Sequence, residues 1–190
     1  ESELRRSRGC YIHPLYGIHG ELLTDDFPKD HYHHHGVFWT WPHVGYAGQD
    51  YSLWEGKNLR QRFCRWIVQE AGPLAAVLGV ENGWYLDDGQ QIMTERVWIR
   101  VFPDVDGTRS IDLHFTWIPL EHPVQLQGAQ GKSYGGLTVR FRPASRADAQ
   151  TRITVPGGVT ESDLPDTPLP WADLTAKFGE GNALTGGAIF

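Results

Sequence analysis

Residues 111–117, Ile-Asp-Leu-His-Phe-Thr-Trp, decide the fold class, because apolar and polar residues alternate through them without a break. Successive side chains of a β-strand point to opposite faces, so Ile111, Leu113 and Phe115 share one face and the polar residues share the other. This pattern is typical of a strand with one face buried and one face in water. Residues 137–142, Leu-Thr-Val-Arg-Phe-Arg, repeat the pattern. Both segments are therefore predicted to be strands.

Three more segments have the composition of strands. Residues 94–102 carry apolar side chains on both faces, which predicts a strand in the middle of a sheet. Residues 63–69 and the aromatic residues 37–41 are rich in the β-branched and aromatic types that strands favour. The chain is therefore predicted to be rich in strands.

Turn residues separate these runs. Asp-Asp-Gly at residues 87–89 and Asp-Val-Asp-Gly at residues 104–107 each lie between two strands and predict hairpins. Pro-Gly-Gly at residues 156–158 ends another run. Strands joined by short turns, with no alternation of strand and helix, predict an all-β fold of the antiparallel β-sandwich type. We assign residues 1–190 to one such domain, or to the greater part of one.

Two segments depart from this pattern. Residues 171–178 follow Pro170 and are the one helical candidate, a weak one. Residues 142–170 contain few large apolar residues and are predicted to be a long surface loop, with a short strand at residues 151–155.

The composition excludes several classes of protein. The net charge of −6 argues against non-specific nucleic-acid binding, and no apolar run approaches the length of a membrane span. Residues 1–8 lack the apolar core of a secretory signal, so we expect a soluble chain of undefined compartment. Cys10 and Cys64 allow one disulfide or two thiols, and their spacing does not decide between them.

The residues with the clearest chemical potential are the histidines of Asp-His-Tyr-His-His-His at residues 30–35. In an extended chain His31, His33 and His35 would share a face, and His34 would point to the other. Pro28 breaks helix just upstream, so an extended or turn conformation is expected. Imidazoles in one short stretch favour proton transfer near neutral pH, or binding of zinc, copper or iron. The alternative is a polar loop that only stabilises the fold.

Other polar residues are candidates for the same site. Glu95 lies on the apolar side of its strand, so it is expected to be an acid or base, or to form a salt bridge with an arginine of a neighbouring strand. Asp112 and His114 share a polar face that is either solvated or lines a cleft. Arg140 and Arg142 are alternatives for holding a carboxylate or hydroxyls. His13, within the run Tyr-Ile-His-Pro-Leu-Tyr at residues 11–16, is a further candidate.

Several of these runs together resemble the DUF6807 family, which carries the label "methane oxygenase PmoA". The similar segments are residues 11–16, Asp-Phe-Pro at residues 26–28, Asp-His-x-His-His-x-Gly at residues 30–36, and Ser-Tyr-Gly-Gly-Leu-Thr-Val-Arg at residues 133–140. The likeness extends from about residue 10 to residue 190.

The resemblance implies a large β-sandwich similar to those of sugar mutarotases. That family has a charged residue where this chain has His35, so His31, His33 and His34 are the stronger site candidates. The family pattern continues beyond Phe190 with a segment containing Asn-Pro, Trp and His. We therefore expect a sandwich that is incomplete at its C-terminus, with a sheet edge that a second copy or another partner covers. A membrane oxygenase is disfavoured, because no apolar run here is long enough to span a bilayer.

The leading hypothesis is a carbohydrate-active protein that binds a sugar or glycoside or acts on it as a hydrolase, lyase or isomerase. The expected catalytic residues are His33, His34 and Glu95, and the expected substrate-binding residues are His13, Asp30, His31, Trp39, Trp41, His114 and Arg140. Trp39 or Trp41 would stack on the sugar ring.

Two alternatives stand beside it. One is a metal-dependent, oxygenase-like enzyme in which His31, His33, His34 and His35 supply ligands to a divalent transition metal. The other is a non-catalytic interaction module, in which the histidines only support a loop.

Overall fold

Alternating residues and short turns produce a chain of strands. The computed structural model describes residues 10–132, 134–145, 148, 150–160, 168–180 and 183–190, and these contain no helix. The strands are β1 (Tyr11–Ile12), β2 (Val37–Thr40), β3 (His43–Tyr46), β4 (Gln49–Tyr51), β5 (Leu59–Ala71), β6 (Ala76–Leu86), β7 (Gln91–Val101), β8 (Ile111–Pro119), β9 (Val124–Gln127), β10 (Gly136–Val139), β11 (Arg152–Val155), β12 (Gly158–Thr160), β13 (Ala172–Lys177) and β14 (Leu184–Ile189).

The first of two compact units contains Cys10 and Trp39–Gly128. Its larger sheet has the order β5-β6-β7-β8, with antiparallel pairing between all neighbours. Its smaller sheet has the order β4-β3-β9. The two sheets enclose one apolar core, because Val44 and Tyr46 of β3 pack with Trp84 of β6 and Ile92 of β7. This unit is a β-sandwich of antiparallel sheets, as predicted.

The second unit contains Tyr11–Phe38 and Ala129–Phe190. A four-stranded sheet of order β12-β11-β13-β14 pairs antiparallel throughout. The order β1-β2-β10 forms a second, three-stranded sheet, in which Val37 and Phe38 of β2 belong to this unit and Trp39 and Thr40 to the first. Leu23, Ala176 and Phe178 form a small core with partly buried Phe141 and Leu174. The single domain over residues 1–190 stays a prediction.

Several sequence signals are confirmed, although the run predicted at residues 137–142 forms a strand, β10, only as far as Val139. Residues 111–117 lie in β8, where Leu113 and Phe115 are half-buried and Asp112 and His114 are exposed. β7 pairs on both sides, as expected of a strand in the middle of a sheet. The predicted turns at residues 87–89, 104–107 and 156–158 each connect two antiparallel strands.

The helix predicted at residues 171–178 is wrong, because the segment contains β13, which pairs with β11 on one side and β14 on the other. Leu174, Ala176 and Phe178 recur every second residue and pack into one core. Helix propensity differences are only fractions of a kcal/mol per residue, so pairing on both edges outweighs them. The predicted strand at residues 151–155 is confirmed by β11, and the expected loop also contains β12. Parts of that loop, residues 146–147, 149 and 161–167, lie outside the described residues, as does Ser133.

The described part of the chain contains no helix with the length and hydrophobicity that a membrane crossing requires. Cys10 and Cys64 are thiols and are not joined in a disulfide. Burial, with the charge of Glu95 in second place, raises the pKa of the Cys10 thiol well above its ordinary value.

Candidate functional site

The histidines lie on a loop of the second unit that is closed by hydrogen bonds at its base. We define residues 27–34 as the histidine loop. Its ends meet where the Phe27 amide donates to the His34 carbonyl at 3.1 Å. Within the loop, the His31 amide donates to the Pro28 carbonyl at 3.1 Å, and the His34 amide donates to the His31 carbonyl at 2.9 Å. These backbone hydrogen bonds are those of turns, so the histidine loop is not extended.

The turns bring together a different set of rings from the one an extended chain would give. The ring centroids of His31 and His34 are 4.8 Å apart with planes at 25°, which is a stacked pair. His33 meets His34 edge-on at 4.6 Å and His31 edge-on at 5.7 Å. The shared face of His31, His33 and His35 that an extended strand would require is therefore wrong. The histidine cluster consists of His31, His33 and His34, the three that the family resemblance favours.

A carboxylate and a guanidinium lie against the histidine cluster. Arg140 donates from Nη2 to both oxygens of Asp30, at 2.9 Å and 2.7 Å. His31 Nδ1 lies 3.0 Å from Asp30 Oδ2. The hydrogen bond from His31, followed by that from Arg140, holds the pKa of the Asp30 carboxyl well below its ordinary value. Asp30 is therefore a fixed negative charge at neutral pH.

These contacts assign protons to particular ring nitrogens. A carboxylate only accepts hydrogen bonds, so His31 donates from Nδ1–H, and in the neutral ring the lone pair is on Nε2. An arginine only donates, and Arg140 Nη1 lies 3.5 Å from His34 Nδ1. His34 therefore accepts at Nδ1, and its proton is on Nε2. The stacked pair thus combines a base on His31 with an acid on His34.

His35 has a separate environment. Its Nδ1 lies 2.6 Å from Asp26 Oδ1, and its ring stacks on Tyr11 with centroids 4.7 Å apart. The residue is only 2% exposed. His13, also predicted for the site, lies in the same unit, and its Nδ1 is 3.0 Å from Thr24 Oγ1. The structure thus gives His35 and His13 partners outside the histidine cluster.

Glu95 is fully buried in the larger sheet of the first unit, whereas the histidine cluster belongs to the second unit. Its Oε1 accepts a hydrogen bond from Asn82 Nδ2 at 2.8 Å. Its Oε2 accepts from four side-chain N–H groups at 2.9–3.1 Å, those of Trp39, Gln61, Trp84 and Trp117. All five donors are neutral, so the arginine expected from a neighbouring strand is not among them. We call these five residues the Glu95 cage.

The other predicted contact residues lie in the first unit. Trp39 is 2% exposed, so in this conformation its ring presents no surface on which a sugar could stack. Trp41 is half-buried and packs edge-on against Trp117 at 5.2 Å. His114 is exposed on the polar face of β8, which is the solvated alternative. Of the substrate-binding residues predicted outside residues 30–35, Arg140 is thus the one that lies at the histidine cluster.

The described residues include no group of three or more His, Cys, Asp or Glu side chains arranged to hold a metal ion. The four proposed metal ligands do not form one group. His35 is hydrogen-bonded to Asp26, whereas His31, His33 and His34 contact one another. The metal-dependent alternative stays a prediction that this geometry does not favour.

Sequence reasoning missed the partners that fix these groups. Asp26 lies in the Asp-Phe-Pro run, but nothing in the sequence pairs it with His35. The sequence singles out neither Trp84 nor Trp117 as a partner of Glu95. Because Glu95, Trp84 and Trp117 lie on inward-facing positions of neighbouring strands, the register of the sheet is what brings these two tryptophans to Glu95.

One family model matches residues 1–190, that of DUF6807, described as a family of unknown function. No curated protein and no solved structure matches the chain.

Proposed function

Because the chain belongs to DUF6807, a family of unknown function, we propose from the site geometry alone that it is an acid–base protein acting on a sugar or glycoside at the histidine cluster. The observation that carries the proposal is that two stacked rings have opposite partners at Nδ1, a carboxylate at His31 and a guanidinium at His34, from which we infer opposite protonation. His31 has its lone pair on Nε2 and His34 has its proton on Nε2, with ring centroids 4.8 Å apart.

An adjacent base and acid can move two protons in one substrate. General acid–base catalysis is efficient when both groups reach the reacting atoms and have pKa values near the working pH, and histidine meets the second condition. His31 would remove a proton from one position, and His34 would deliver a proton to another. His33 contacts both rings from the edge and completes the cluster. An isomerisation or an elimination needs only these two proton transfers. Hydrolysis is the alternative.

Asp30 and Arg140 act as positioning residues in this proposal. Asp30 holds His31 in the Nδ1–H form, and Arg140 holds His34 in the Nε2–H form. A carboxylate that orients an imidazole and stabilises its protonated form is a recurrent arrangement in hydrolases. Arg140 also compensates the charge of Asp30, so neither charge needs the substrate as its partner.

The same pair of nitrogens supports a sugar as the substrate. A sugar offers neighbouring hydroxyl groups, each able to donate and to accept a hydrogen bond. An acceptor beside a donor matches two such hydroxyls, and the all-β scaffold supports the carbohydrate assignment by analogy only. Glu95 is outside the proposed machinery, because both its oxygens are engaged in the Glu95 cage.

Calorimetric titration with a panel of neutral and acidic mono- and oligosaccharides tests the proposal. We expect at least one sugar to bind with a Kd of about 1 mM or tighter, and the double variant His31→Ala/His34→Ala to lose that binding. The matched control is His43→Ala, because His43 is also exposed and paired with a carboxylate, Asp50 at 2.8 Å, in the first unit. A folded protein that binds no sugar, or whose binding survives the double variant, would overturn the proposal.

A further inference from the structure

The histidine loop is closed at its base by a side-chain pair in which the histidine is buried and the aspartate is half-buried. Asp26 and His35 face each other across the base as an antiparallel bridge, and their side chains meet at 2.6 Å. The His35 side chain is 3% exposed and that of Asp26 is 31% exposed. We call Asp25, Asp26, His35 and Gly36 the neck of the loop. A short, largely buried hydrogen bond at this point fixes the separation of the two arms of the loop.

Tyr11 reinforces the neck. Its ring stacks on His35 at an interplanar angle of 29°. Burial first, and then the charge of Asp26 and a hydrogen bond to it, raise the pKa of the Tyr11 hydroxyl. The Tyr11 hydroxyl therefore interacts with the same carboxylate to which His35 is bonded. Tyr11 belongs to β1 and pairs with Phe38 of β2. The ring that stacks on His35 is therefore held by a paired strand.

The backbone of the neck also holds Arg140. The Asp25 amide donates to the Arg140 carbonyl at 2.9 Å, and the Arg140 amide donates to the Gly36 carbonyl at 2.7 Å. The Gly36 amide donates in turn to the Asp25 carbonyl at 2.8 Å. Arg140 is therefore bonded to the two residues that flank the Asp26–His35 pair. Any change in the width of the neck would move Arg140 relative to Asp30 and His34.

We propose that Asp26 and His35 are positioning residues that set the tautomers of His31 and His34 by holding Arg140 in register with the histidine loop. The inference rests on the proposed acid–base function of that loop. His35 was considered at the sequence level as a metal ligand, and here it acts from the base of the loop. The bonds that carry the effect are the backbone bonds of Arg140 and the contacts of its guanidinium with Asp30 and His34.

The test is the protonation state of each ring nitrogen, read from long-range proton–nitrogen NMR spectra of histidine-labelled protein. In Asp26→Leu, which removes the acceptor at similar volume, we expect His31 and His34 each to change from one dominant tautomer to a mixture. In Asp26→Asn, which retains an oxygen acceptor for the His35 Nδ1–H, we expect the wild-type tautomers to be kept. Rescue by Asn separates positioning from the general loss of stability that both variants share.

Asp50→Leu is the matched control, because it breaks an aspartate–histidine pair in the first unit and should alter His43 alone. If Asp26→Leu does not fold, Tyr11→Phe is the second variant, since it removes the hydroxyl that interacts with Asp26 and keeps the stacked ring. It should shift His31 and His34 in the same direction by less. Unchanged tautomers in folded Asp26→Leu, or in Tyr11→Phe where Asp26→Leu does not fold, would overturn the inference. The readout requires no sugar, so failure of the sugar titrations would count against the proposed function alone.

Discussion

Arg140 Nη2 donates to both carboxylate oxygens of Asp30 across 110 positions of the chain. The Arg140 side chain is 13% exposed and that of Asp30 is 49% exposed, so the pair lies at the surface with its cation largely covered. Asp30 in turn accepts from His31, and Arg140 reaches His34. One ion pair therefore orients both rings of the stacked pair.

The first prediction concerns the titration of Asp30. Arg140→Gln removes the positive charge and the hydrogen bonds that the guanidinium donates to Asp30. We therefore expect the titration midpoint of the Asp30 carboxyl to rise toward that of an ordinary aspartate. Because the folded pKa lies below the unfolded one, Asp30 stabilises the fold above its ordinary pKa, and this contribution is lost as the pH falls toward the folded pKa. Carbon-detected NMR of the side-chain carboxyl measures the midpoint. Arg142→Gln, an exposed arginine two positions on, should leave it unchanged. An unmoved midpoint in Arg140→Gln would contradict the assigned ion pair.

The second prediction concerns the Glu95 cage. Glu95→Gln places an N–H₂ group among five N–H donors, so we expect the free energy of unfolding to fall by about 3 kcal/mol. The indole N–H signals of Trp39, Trp84 and Trp117 should shift together. Chemical denaturation gives the stability change.

Glu81→Gln is the matched control for the Glu95 cage. Glu81 lies on the neighbouring strand β6 and pairs with Arg65 and Arg96, each at 2.9 Å. Both arginines are largely solvent-exposed, so the loss should be about 1 kcal/mol or less. Equal losses in the two variants would show that the cage contributes nothing beyond an ordinary surface ion pair.

The third prediction tests the sheet of the second unit. Gly186 of β14 pairs with Thr175 of β13, and a Cβ atom at Gly186 would overlap the carbonyl oxygen of Leu174. Gly186→Ala should therefore separate the strands locally and cost about 1–3 kcal/mol in the free energy of unfolding. Gly157→Ala, where nothing lies within 4 Å of an added Cβ, should change stability by about 0.5 kcal/mol or less. If Gly186→Ala proves as stable as Gly157→Ala, the register of β13 and β14 is wrong.

The sequence predicts a strand most directly where one face is buried and the other is solvated over several residues. Residues 111–117 are such a case, because period-2 alternation has a direct structural cause. β13 was missed because its inward side chains, Leu174 and Ala176, are also good helix formers, and only pairing with β11 and β14 decides between the two.

The candidate site was predictable in its residues and not in its geometry. Four histidines within five positions are visible in the sequence, but their ring contacts depend on turns that begin at Pro28. Arg140 was one of two arginine candidates, and only tertiary structure brings it to Asp30. The pairing of Asp26 with His35 has no local signature, because it forms where the two arms of a loop meet.

The most direct test of the central claim is the protonation of the ring nitrogens of His31 and His34 in the wild-type protein at a pH where both rings are neutral. Long-range proton–nitrogen NMR distinguishes the two tautomers of each ring. We expect a proton on Nδ1 of His31 and on Nε2 of His34. The same tautomer in both rings, or a solvent-like mixture in each, would contradict it.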